Sequence, residues 1–75
     1  MEESKRFEYN KLRGKIREVC GTQDEFGKAI GMSHMVLVNR LNGKTNFRQD
    51  EILAACNVLR IPQREIPAYF FTLKG

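Results

Sequence analysis

The chain has 75 residues, 41% hydrophobic and 29% charged, and its 13 Lys and Arg against 9 Asp and Glu give a net charge of +4. That length sustains one small domain, with no room for a second catalytic domain or a deep cofactor cleft, and the composition is that of a folded globule and not of a disordered tail. An isoelectric point near 9.4 favours an anionic partner, of which nucleic acid is the commonest.

Residues 1–6 are polar and read as a flexible N-terminus ahead of a single domain at 7–75. Leu12, Ile16, Val19 and Cys20 then recur at i, i+4, i+7 and i+8. This is one apolar stripe of a helix, with Lys11, Arg13, Lys15 and Arg17 on its other faces and Gly21 as its stop. The basic residues read first as a solvated face. Thr22 opens the next helix, and Glu25 three residues on makes a T-x-x-E capping box. Phe26 and Ile30 line one side of it, and Gly31 ends it in a backbone conformation that glycine adopts without strain.

Ser33 is a good N-cap for a third helix over about 34–42, in which Leu37 and Leu41, one turn apart, face the core. Residues 44–48 read as a loop. Ile52, Leu53, Cys56 and Leu59 define a fourth amphipathic helix at about 49–60. Pro62 starts a short fifth helix at 63–66, and Pro67 is expected to cut it off. Residues 68–73, with Tyr69, Phe70 and Phe71 together, read as an extended strand or an apolar arm. The expected architecture is all-α, five short helices with a short aromatic C-terminal tail and no sheet.

Cys20 and Cys56 have neither a CxxC partner nor a neighbouring histidine and fall on apolar helical positions, so both are expected as buried free thiols. His34 is the only histidine and has no metal-ligand partners at usable spacing. Neither a metal nor a cofactor is expected. There is no Ser/His/Asp set, paired-carboxylate signature or glycine-rich phosphate loop, so the chain is not expected to be an enzyme. No apolar run approaches a membrane span and the start lacks the apolar core of a signal peptide, so a cytoplasmic location and no membrane contact are expected.

The informative segment is 23–44, two short helices joined by a tight turn. A small residue, Gly27, falls where the two helices would touch, Gly31 falls at the turn, and Phe26, Ile30, Met32 and Leu37 have the spacing to lock the pair. With Leu37 and Leu41 turned inward, Met35, Val38, Asn39 and Asn42 point outward. The pattern from Gly31 through Ser33 to Asn42, Gly43 and Lys44, together with Thr22, Gln23 and Phe26, resembles the DNA-binding domains of phage lambda-type repressors and Cro proteins, the XRE-like helix-turn-helix family. Phe7, Tyr9 and residues 11–14 at the start, and Ile61, Pro62, Glu65, Ile66 and residues 69–71 at the end, are similar to short prophage Cro/repressor-like proteins.

The resemblance implies a compact five-helix lambda-repressor-like domain with its helix-turn-helix at about 22–42. It implies a sequence-specific, double-stranded DNA-binding transcriptional regulator that sets residues 33–42 in the major groove of an operator. By that resemblance Gln23 bonds phosphate, Ser33 caps the recognition helix beside phosphate, and His34 and Met35 read bases. Val38 and Asn39 follow one turn later, and Asn42 and Lys44 grip the backbone. A homodimer is expected, because one recognition helix touches few base pairs, and the aromatic tail is the first candidate for its contact.

The segment departs from the pattern in two respects. Arg40 stands where the family often has an apolar core residue, and its stem would cover the core while its head reaches phosphate. Met35, Val36 and Val38 replace the usual polar readers, leaving Asn39 and His34 to bond bases. That apolar helix supports an alternative, a protein-interaction module on the same fold, such as an antirepressor that binds a repressor protein through Met35, Val36 and Val38.

Overall fold

The computed structural model describes residues 7–73, so the expected flexible segment at 1–6 lies outside the described residues. Five α-helices follow in order: α1 (Asn10–Cys20), α2 (Gln23–Ile30), α3 (His34–Leu41), α4 (Gln49–Leu59) and α5 (Ile66–Phe70), the last entered through a 3-10 turn at Gln63–Glu65. The all-α expectation is borne out. Among the described residues the β-structure is one isolated antiparallel bridge, Phe7 to Leu73, beside which the Glu8 N–H donates to the Thr72 carbonyl at 2.8 Å.

The helix starts follow local chemistry. The Glu25 N–H donates to Thr22 Oγ1 at 3.1 Å and the Val36 N–H to Ser33 Oγ at 3.3 Å, so both residues cap as the sequence indicates. Only half of the expected capping box forms, because the Glu25 carboxylate turns to Lys28, 3.8 Å away. Gly31 ends α2 at φ 72°, in the left-handed region. Arg60 takes the same role after α4 at φ 58°, where a side chain is strained.

The core is drawn from every helix. Leu12 and Ile16 of α1, Phe26 of α2, and Leu37 and Leu41 of α3 are all buried. Ile52, Ala55 and Leu59 of α4 close it from the far side, with Ile61 after them. Half-buried Phe47 sits edge-on to both Tyr9 and Phe70, each at 5.3 Å between ring centres. Burial raises the Tyr9 hydroxyl above its ordinary pKa.

The C-terminal segment corrects the expectation for 63–73. Pro67 opens α5 instead of ending a helix, because a proline in the first turn needs no intrahelical donor. Tyr69 and Phe70 are buried core residues and not an arm, while Phe71 and Leu73 remain exposed. Phe71 meets Phe7 edge-on at 5.8 Å, closing the ends of the described chain against each other. Both cysteines are free. Cys56 is buried, which pushes its thiol pKa up, whereas Cys20 is only half-buried.

Candidate functional site

The α2–turn–α3 pair is held by backbone contact at one glycine. The Met32 N–H donates to the Gly27 carbonyl at 2.8 Å, and a Cβ on Gly27 would lie 2.8 Å from the Met32 carbonyl oxygen. Such an approach admits no side chain. Residues 31–33 can then turn the chain so that the N-terminal ends of α2 and α3 come together. With Leu37 and Leu41 buried beneath it, α3 presents its opposite side to solvent.

The sequence-derived residues occupy this face unevenly. Gln23, Ser33 and His34 gather where the two helices begin, around two surface hollows that share Gln23, Asp24 and His34. His34 Nδ1 donates to Asp24 Oδ1 at 2.9 Å, so the ring is held by a carboxylate across the turn. Met35 is 68% exposed, the most exposed large apolar side chain described. Val38, Asn39 and Val36 are half-buried. The Asn39 carbonyl accepts from Lys44 and Thr45 N–H groups at 3.0 and 3.4 Å, closing the end of α3. Lys44 is exposed on the loop beyond.

Asn42 is exposed but turned toward α1, because its Oδ1 accepts from Arg13 Nη2 at 3.1 Å. The same nitrogen donates to the Leu41 carbonyl at 2.8 Å, which places a cation at the negative end of α3. Asn42 and Lys44 therefore stand at one end of α3, and Gln23, Ser33 and His34 at the other.

Arg40 accounts for its departure from an apolar residue. Its Nε and Nη2 donate to the two oxygens of Glu51 at 2.8 and 3.1 Å, and its Nη1 donates to Thr45 Oγ1 at 2.7 Å. Both side chains are less than one-fifth exposed, at 16% and 18%. The hydrogen bond to Arg40 holds the Glu51 carboxyl below its ordinary pKa, and the same bond raises Arg40. Arg40 thus ties α3 and its following loop to α4 and offers its charge to no outside ligand.

Three features of the surroundings had no place in the DNA-contact set expected from sequence. Asp24 and Glu25, in the first turn of α2, place carboxylates beside the residues expected to meet phosphate. Arg13 and Arg17 line one of the hollows, and their i, i+4 spacing was the signal for it. Phe71 and Leu73 are about half exposed, at 49% and 52%, next to Phe7. No cluster of His, Cys, Asp and Glu suited to a metal occurs among the described residues. No helix among them is long and apolar enough to cross a membrane.

A family described as "Protein of unknown function (DUF739)" matches residues 5–73. The chain belongs to that family. This DUF739 chain is also similar to the solution structure of the modulator of repression (MOR) of the temperate bacteriophage TP901-1 from Lactococcus lactis. The two share 45% identity at a TM-score of 0.77, over 87% of this chain and 88% of that one. A comparison with curated proteins gave no match.

Proposed function

We propose that this chain modulates phage repression by binding a repressor protein. The observation that carries the reading is its 45% identity, over nearly the full length of both chains, to a phage modulator of repression. The face of α3 agrees with it. A well-exposed Met35 flanked by half-buried valines offers apolar contact area. The Asp24 and Glu25 carboxylates on the adjoining rim oppose a phosphate backbone but not a protein surface. The exposed Phe71 and Leu73 offer a second apolar area at the closed chain ends. In this reading the chain is not an enzyme, needs no cofactor or metal, and acts in the host cytoplasm.

A second reading keeps the same face for operator DNA, with Gln23, Ser33, His34, Met35, Val38, Asn39, Asn42 and Lys44 as contacts and a homodimer as the binding unit. The net charge of +4 favours it. One set of gel-shift titrations decides between the two. The purified chain is added, at two salt concentrations, to an operator duplex from the same phage genome, alone and already bound by that phage's repressor. The proposal expects no shift by the chain alone and an altered or dissolved repressor complex. Shift by the chain alone, weakening steeply with salt, with the repressor complex untouched, would replace the proposal with the operator-binding reading.

A further inference from the structure

Among the described residues the basic side chains are unevenly paired. Lys28, His34, Arg40 and Arg48 each face a carboxylate across an ion-pair distance. Lys11, Arg13, Lys15 and Arg17 of α1 face none among the described residues. Lys11 sits over the Tyr69 ring, 4.9 Å from its centre. Arg13 uses Nη2 on two neutral acceptors, the Leu41 carbonyl and Asn42 Oδ1, and among the described residues its Nε and Nη1 make no hydrogen bond.

The helix period divides these four cations into two flanks. Lys11 and Lys15 lie toward α5, and Arg13 and Arg17 toward α2 and α3. The arginine flank is not a plain solvated surface. It forms one wall of a hollow of about 330 Å³, which continues past Ile16 and Gly21 to Thr22, Gln23, Asp24 and His34. Gly21 adds no side chain to fill it, and Ile16, 1% exposed, gives it an apolar floor. Asp24 is the one carboxylate in the lining, and its Oδ1 is taken by His34. The hollow therefore joins two guanidinium groups, one of them already oriented by two hydrogen bonds, to one engaged carboxylate.

We infer that this hollow receives an acidic side chain of the partner protein, with Arg17 as the bidentate ligand of its carboxylate and Arg13 as the fixed second cation. The inference rests on the protein-partner reading above and names the chemistry of the contact. A planar guanidinium presents paired donors that match a carboxylate, and the exposed Arg17 can turn its fork toward one that enters the hollow. A single acidic side chain enters such a hollow alone. A DNA backbone is a continuous row of charges, and a phosphate placed there would bring its neighbours against Asp24 and Glu25.

Two measurements on the intact chain test this independently. In the first, glutarate is titrated into the isotope-labelled protein at constant ionic strength and followed by amide and arginine side-chain NMR. The inference expects saturable shifts at residues 21–24, His34 and the Arg17 Nε–H, absent from an R17Q protein whose other resonances keep their positions. In the second, binding to the same phage's repressor is compared for wild type, R17K and R17E. R17E should lose about tenfold or more, and R17K less, because lysine keeps the charge without the fork. Absence of saturable glutarate shifts, or repressor binding unchanged in R17E, overturns the inference while leaving the proposed function standing. Failure of the wild type to bind the repressor removes the proposed function instead, and the glutarate titration still decides whether the hollow takes a carboxylate. Loss in R17E of binding to duplex DNA and not to the repressor would make the occupant a phosphate and overturn the inference.

Discussion

Gly27 governs the approach of α2 to the turn that follows it. Its neighbour across the contact is a backbone carbonyl, Met32 O, which is fixed by the same turn and has little freedom to retreat. Gly27→Ala would place a methyl carbon 2.8 Å from that oxygen. The expected cost is about 1–3 kcal/mol, the range for overpacked sites, read as a lower urea midpoint with an unchanged slope. The spacing of this glycine within 23–44 was visible in the sequence, and so were the caps at Thr22 and Ser33, because each depends on residues only a few positions apart. The His34–Asp24 bond was not legible in the same way. It joins residues ten apart across a turn whose geometry no local pattern specifies.

At the level of the elements, the Arg40–Glu51 pair joins α3 to α4. Arg40 reads as an odd residue when α3 is viewed alone, because its partner lies eleven residues on and beyond a loop. Glu51 also accepts from the Arg48 N–H at 2.9 Å, so one carboxylate starts α4 and anchors α3. Its pKa is depressed in the folded chain below the ordinary value of 4.5. The contribution is therefore fully present above that ordinary value and lost as pH falls through the folded one. Glu51→Gln keeps an acceptor for Arg48 but removes the charge. It should cost about 1–3 kcal/mol at neutral pH. The stability of wild type and variant, followed by denaturant titration from pH 7 downward, should converge only as pH falls from the ordinary 4.5 through the lower folded value. A gap that persists at acid pH would mean that packing, not charge, joins the two helices. The helix positions themselves were legible from the apolar periodicity. The fifth helix is not legible in this way, because Pro67 reads locally as a stop, although in a first turn the same ring is compatible with a start.

Across the whole molecule, the aromatic side chains join segments that are distant in sequence. Tyr9, Phe47 and Phe70 form an edge-on series running from the start through the α3–α4 loop to α5. Phe47→Ala would remove the middle ring from both contacts. A loss of about 2–4 kcal/mol is expected, somewhat less than for a fully buried ring, and thermal unfolding should show it as a lower midpoint. An unchanged midpoint would mean that Tyr9 and Phe70 hold the ends without it. These ring contacts were outside the reach of sequence reading, which recognised Tyr69, Phe70 and Phe71 as a group but had no means of pairing them with Tyr9 or Phe47.

The same series carries a consequence for synthesis. Phe70 supplies its final ring, and the Phe7–Leu73 bridge needs the residues just after it. While the ribosome is still delivering α5, the nascent chain can form its early helices but cannot seal Tyr9 and Phe47 from water. The domain therefore cannot reach its closed state until α5 has left the exit tunnel.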